Sequence, residues 1–235
     1  LLASIMNDGD HRAFGRGGVG AVMGSKNLKA IVAKNGTLKT EADNPDHLKK
    51  YVQTALDKIK VVPITRASLP LFGTAGLVNI INELGMLPIN NFQKGFSLEA
   101  ENISGEAIRE QILTKDEGCY ACPIRCGRLT KAGDMEGKGP EYESVVLLGS
   151  TCVVFDLVAV TQANYVFNLL GIDTISAGVT IACAMELQEK GLLHEEGMNF
   201  GTAAILKPLL FKMEKTEGIG AEWALGSGRL AEKYG

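Results

Sequence analysis

The sequence predicts a mainly α-helical fold: a multihelical domain over residues 37–235, preceded over residues 1–36 by a short β-containing tail of an N-terminal domain. Three observations carry this. The first 36 residues are rich in glycine and end in one short apolar run. From Asn44 onward, apolar residues recur at helical spacing between recognisable cap residues. With 235 residues, 46% of them hydrophobic, the chain can bury a sizeable core.

The tail opens with IMNDGDHRAF, Ile5 to Phe14, which is polar and interrupted at Gly9 and so reads as no buried strand. GRGGVG comes next, Gly15 to Gly20, with the G-x-G-x-x-G spelling of a dinucleotide-binding turn. That turn requires a buried strand before it, a helix opening at its third glycine and a carboxylate at the end of the next strand. Here the preceding segment is polar, Gly24 interrupts the downstream segment, and Lys34 stands after the expected strand Leu28–Ala33, where a carboxylate belongs. A nicotinamide site is therefore not expected. Three glycines beside Arg16 either form a surface turn or let a backbone approach a bulky anion.

The helices come in order along the chain. Asn44 caps a helix with Pro45 at its first position. Thr74 to Gly85 has helical spacing and a C-terminal glycine. Ser104 starts a helix that leads into a cysteine cluster. Asp156 opens a helix ending on Gly171, the next ends on Gly191, and two more fill Gly201 to Gly235.

Composition excludes several functions. A net charge of -3 carries no electrostatic footprint for nucleic acid or an anionic membrane. No apolar run approaches the roughly 20 residues of a membrane span. Five cysteines, three of them within eight residues, argue for reduced thiols and a cytoplasmic location. The chain opens on Leu1 without methionine and stops directly after a helical pattern, which predicts a fragment of a longer polypeptide, inactive by itself.

Three motifs carry chemistry. CYACPIRC places Cys119, Cys122 and Cys126 at C-x2-C-x3-C. Soft thiolates this close select zinc or iron–sulfur. A closed zinc site needs a fourth ligand nearby, yet His194 is distant, and Cys152 and Cys183 lie in apolar helical runs. A [4Fe–4S] cluster accepts a remote fourth cysteine, so iron–sulfur is favoured over zinc and over three unligated thiols. GKGPEYES carries Glu141 and Glu143 ahead of an apolar run. They are either helix-start carboxylates that favour the macrodipole or an acid/base pair, and spacing does not choose between these. NLLGIDTISAG joins two helices at Gly171. Its Asn168 and Asp173 either converge on a ligand or form an ordinary helical hairpin with Asp173 as N-cap.

Together and in this order, GRGGVGAVMGSKNLKAI, GMLPINNF, GCYACPIRC, GPEYES and LGIDTISAG resemble the tungsten-containing aldehyde ferredoxin oxidoreductases. The resemblance spans nearly the whole chain. It implies a tungsten (or molybdenum) atom held between two pterins, with Mg2+ as a candidate bridge between their phosphates, and a nearby [4Fe–4S] cluster on Cys119, Cys122 and Cys126. It implies that Arg16, Gly17, Gly18, Lys26 and Asn27 cradle pterin and phosphate. It assigns a pterin-binding turn to Asn168, Gly171, Ile172 and Asp173, with Asn168 standing where some members have aspartate. It places Glu143 near the metal with Glu141 its neighbour, and it leaves Gln162 where some members carry a glutamate for an interfacial iron. The implied activity is oxidation of a small aldehyde to a carboxylic acid with electrons passing to ferredoxin, in a homodimer of the full-length chain. The alternatives are a member redirected to another low-potential reaction, such as aromatic-ring or carboxylate reduction, and a non-catalytic iron–sulfur module.

Overall fold

The computed structural model describes residues 1–7, 12–34, 36–37, 41–216 and 218–235; the break expected at Gly9 lies outside them. The tail forms a small hairpin. Strand β1, Ile5–Asn7, pairs antiparallel with β2, Arg12–Phe14, Ile5 standing opposite Phe14. Both strands are half-buried or exposed, so the segment is no buried strand but does pair. Helix α1 runs from Val19 to Ser25. The strand expected over Leu28–Ala33 does not form. Among the described residues no strand pairs with it, and Ile31 and Val32 stand 78% and 88% exposed. An apolar run without a ladder partner has no backbone hydrogen bonds to make it a strand.

Helix α2, Pro45–Val61, is capped as expected: the Asn44 side chain accepts the His47 amide. One π-turn, Ile64–Ser68, leads into the short helix α3, Leu69–Phe72. The helix expected from Thr74 begins with a 3₁₀ turn and becomes α4 at Leu77–Glu83. Helix α5, Gly105–Gln111, is capped by Ser104, whose hydroxyl accepts the Ala107 amide.

Between α5 and the rest lies a three-stranded antiparallel sheet in the order β3 Leu113–Glu117, β4 Gly127–Ala132, β5 Met135–Lys138. The sequence pattern does not announce this sheet. Its strands are short and charged, and only the Gly133–Asp134 pair joining Ala132 to Met135 signals a two-residue hairpin. The cysteines therefore sit in the β3–β4 connection and not at a helix end.

Helix α6, Tyr142–Leu148, is buried on every side from Ser144 to Leu148, as befits a helix at the centre of the molecule. One apolar cluster lies between α6 and the α4–α5 region around Val78, Ile103, Ile108 and Val145. The larger one joins helices α7 (Leu157–Leu170), α8 (Thr174–Glu189), α9 (Leu206–Lys215), α10 (Ile219–Trp223) and α11 (Ser227–Tyr234) around Phe167, Met185, Leu210 and Trp223. Among the described residues three α-helices, not two, fill the end of the chain. Glycines at 218 and 226 break what looks like two periodic stretches. The result is a mainly α-helical fold with small sheets, as the sequence predicts.

Candidate functional site

The β3–β4 loop holds all three clustered cysteines. Cys119 is exposed, and Cys122 and Cys126 are half-buried. The loop is tightly wound. Cys122 N–H donates to the Cys119 carbonyl at 3.0 Å, and Ala121 and Arg125 adopt φ of 57° and 56°. Two non-glycine residues in the left-handed region within five positions cost on the order of 1–2 kcal/mol each, and such strain clusters at functional loops. The backbone amides of Ile124 and Arg125 point at the Cys122 sulfur and lower its pKa. Burial raises that of Cys126, with Glu141 adding to it. A loop that turns its amides toward sulfur suits a thiolate-bound centre. Among the described residues, no three His, Cys, Asp or Glu side chains already form a group that could hold a metal ion, so the thiols share one loop without being drawn together. Cys152 stays apart, wholly buried with its pKa pushed up to about 12, and half-buried Cys183 sits within α8.

Arg12 on β2 links this loop to Glu141. Its Nη1 donates to Glu141 Oε1 at 3.0 Å, and Thr74 Oγ1 donates to Glu141 Oε2 at 2.7 Å. The Thr74 hydroxyl also accepts the Tyr142 amide at 2.9 Å, which anchors the start of α6. Partial burial pulls the Arg12 pKa down, but Glu141, with smaller help from Cys119 and Cys126, outweighs this and raises it. Arg12 lines a polar hollow of about 490 Å³ with Cys119, Arg125 and Lys138. With Glu141, Asn164 and Asn168 it also lines a second cavity of about 200 Å³. The structure thus brings Asn168, Glu141 and the cysteine loop to one region.

Glu143 does not join them. It sits in the first turn of α6, exposed. Helix α6 turns its apolar residues inward and leaves position 143 outside, as for a carboxylate at a helix start.

The glycine–arginine loop meets the α7–α8 junction. Gly15 packs so closely on Asp173 that a Cβ there would lie 3.0 Å from Oδ1, and one at Gly20 would strike the Ala3 carbonyl at 2.4 Å. Ser4 N–H donates to the Gly171 carbonyl, Asp173 N–H to the Leu2 carbonyl, and Ala3 bridges Ile172. Asp173, buried, caps α8 by accepting the Ser176 amide at 2.9 Å, which is the ordinary role for a residue at that position. Gly17 and Gly18 have φ of 86° and 72°, and among the described residues nothing beyond its chain neighbours lies within 4 Å of where a Gly17 side chain would start. That open backbone leaves room for a large group. Arg16 is exposed and lines a cleft of about 610 Å³ with Ser176, Thr180, Gly226 and Arg229. Lys26 and Asn27 lie at the far end of α1, exposed and not on that cleft. Gln162 is engaged elsewhere, donating to the Ala132 carbonyl and accepting from Lys207.

Sequence reasoning missed Arg12, Thr74 and Asn164. Arg12 stands three residues before Gly15, but its partner Glu141 is 129 positions away, a separation that no local pattern reveals.

The family model for aldehyde ferredoxin oxidoreductase domains 2 and 3 matches residues 50–235, and the one for the N-terminal domain of the same enzymes matches residues 1–35. Tungsten-containing aldehyde ferredoxin oxidoreductases of Pyrococcus furiosus and Thermococcus kodakarensis are 46% and 43% identical over the whole of this chain. The chain spans 40% of the length of each. An aliphatic sulfonate oxidoreductase, WOR-like subunit, of Pyrococcus furiosus is 30% identical over 99% of the chain and 38% of its own length. Among solved structures, the active-site complex of benzoyl coenzyme A reductase superposes on all of the chain, and on 37% of its own, with a TM-score of 0.77 at 24% identity, a likeness of fold. With the two domain models matching residues 1–35 and 50–235, the chain belongs to the aldehyde ferredoxin oxidoreductase family.

Proposed function

We propose that this chain is the central part of an oxidoreductase that converts an aldehyde and water into a carboxylic acid, releasing two electrons and two protons. The observation that carries the reading is Arg12. One guanidinium borders both the hollow of the cysteine loop and the cavity of Glu141 and Asn168. The residues fit the groups that the family name implies. The thiolates of Cys119, Cys122 and Cys126 are the soft donors an iron–sulfur cluster takes. They would hold three of its corners, forming the electron exit toward ferredoxin.

The open backbone at Gly17 and Gly18, with Arg16, would receive a pterin phosphate, and Lys26 and Asn27 belong to the same block. Mg2+ would accompany the phosphates as their counter-ion. Asn168, Gly171, Ile172 and Asp173 would border the pterin from the other side. When bound, the tungsten (or molybdenum) centre supplies a Lewis acid and two-electron acceptor. Glu143 would take a proton from the attacking water, and Glu141, held by Arg12 and Thr74, would fix the segment that carries it. The division after residue 36, the cytoplasmic location and a homodimer of the longer polypeptide belong to this reading.

Metal and pterin analysis of the full-length protein, purified without oxygen, tests it together with ferredoxin-coupled aldehyde oxidation. About four irons per chain, tungsten or molybdenum, and pterin are expected. Stoichiometric zinc without iron would sink it. The relative named an aliphatic sulfonate oxidoreductase, WOR-like subunit, favours a second reading, the same centre turned to another substrate class. In that case the cofactors are present and aldehydes are not oxidised.

A further inference from the structure

Arg128, two residues past Cys126, is an arginine whose side chain is only 3% exposed. Its Nη2 donates to the carbonyls of Leu69 and Pro70 at 2.9 and 2.7 Å. Its Nη1 donates to Gly127 O at 2.8 Å and, at 3.4 Å, to Arg125 O in the cysteine loop. Asp116 Oδ1 on β3 stands 3.2 Å from the same nitrogen. One guanidinium therefore ties the short helix α3, the edge of the sheet and the arm of the loop that carries Cys126. The Leu69 carbonyl also accepts the Gly73 amide at 2.9 Å, and Nη2 adds a charged donor to it and to the Pro70 carbonyl while Nη1 serves the sheet and the loop. The chain beyond α3 completes the clasp. Gly73 lies so close to the loop that a Cβ there would meet Cys126 O at 3.0 Å and Arg128 Nε at 3.4 Å. The next residue, Thr74, grips Glu141 and the start of α6.

We propose that Arg128 is a positioning residue for the iron–sulfur loop, its guanidinium fixing Cys126 against the Leu69–Thr74 turn and, through Thr74, holding the loop in register with Glu141. This rests on the reading of Cys119, Cys122 and Cys126 as cluster ligands. A lysine at 128 keeps the charge but offers one nitrogen in place of the fork, so it cannot hold Leu69, Pro70, Gly127 and Arg125 together.

The test is the rate at which full-length, anaerobically purified protein loses iron to an excess of ferrous chelator. Residues that orient metal ligands from behind typically change metal affinity 10–100-fold. Arg128→Lys should therefore release iron about tenfold faster than wild type. Leu209→Ala, in the apolar cluster around α9, is the control. It should lower Tm at least as much as Arg128→Lys and leave the rate of iron loss unchanged. If Arg128→Lys does not accumulate, Gly73→Ala presses on the same contact and, at φ of 64°, also strains the turn that carries it, so it should speed release several-fold beyond the Leu209→Ala control. Iron-free wild-type protein would sink the parent reading of the cysteines. Iron-bearing wild type whose Arg128→Lys and Gly73→Ala variants lose iron at the wild-type rate overturns this inference alone. So does a Leu209→Ala variant that loses iron as fast as Arg128→Lys, since ordinary destabilisation then accounts for the effect.

Discussion

Replacing Glu141 and Glu143 one at a time tests the proposal that the first carboxylate holds the site and the second works in it. Glu141 receives two hydrogen bonds, from Arg12 at 3.0 Å and Thr74 at 2.7 Å. Hydrogen bonds to a charged group contribute about 1.5–3 kcal/mol each when buried. The side chains of Arg12 and Glu141 are 36% and 31% exposed, so solvent screening reduces their share toward the surface range of about 0–1 kcal/mol. Glu141→Gln keeps one acceptor for Thr74 and removes the charge, so it should lower folding stability by about 1–2 kcal/mol. Glu143 is exposed in the first turn of α6, and among the described residues no such network holds it. Glu143→Gln should change stability by no more than the macrodipole contribution, about 0.3–1 kcal/mol. Acid–base catalysis typically contributes about 10²–10⁴-fold, so the same substitution should lower aldehyde oxidation by roughly that factor with iron content unchanged. Urea denaturation and steady-state turnover on the same full-length preparations read both quantities. Near-full turnover in Glu143→Gln with its loss in iron-replete Glu141→Gln would show that the roles are reversed. Full turnover in both leaves the two glutamates as the start of a helix and nothing more.

Asp173 offers a second separation. Asp173→Ala should cost about 0.5–2 kcal/mol through the lost α8 cap, whereas Asp173→Asn keeps the cap; if the asparagine variant binds a full complement of pterin, Asp173 is a cap alone. Cys119→Ser should abolish the visible absorbance of the anaerobic protein and Cys183→Ser should leave it intact; the reverse pattern refutes the assignment of the loop. Cys152 predicts an alkaline limit. Its folded pKa, about 12 through burial against an ordinary 9.0, lies above the unfolded value, so its contribution is complete below about pH 9 and is lost as pH rises toward 12. Linkage puts the loss near about 1.4 kcal/mol at about pH 10, and Cys152→Ala should flatten the stability–pH curve by that amount between about pH 8 and 10; an unchanged slope excludes the buried thiol as its source.

The helices were legible because their caps act locally. Asn44, Ser104, Asp156 and Asp173 each accept an amide three residues on, so the side chain that starts the helix lies beside the residues it serves. The sheet was not legible, because β3 and β4 are held by pairing with each other across the cysteine loop, and a run such as LTKDE carries no alternation of its own. The strand expected over Leu28–Ala33 failed for the converse reason, since apolar residues in a row do not supply a partner. The site divides along the same line. The cysteines, the glycine loop and the NLLGID turn could be picked out as candidates because each is a short segment whose chemistry is carried by its own residues. The groups that join them are distant in sequence: Arg12 reaches Glu141, Thr74 reaches Glu141 and Tyr142, and Arg128 reaches Leu69 and Pro70. Motifs name the groups that can bind, whereas the charges and hydroxyls that set their register become visible only once the chain has folded around α6.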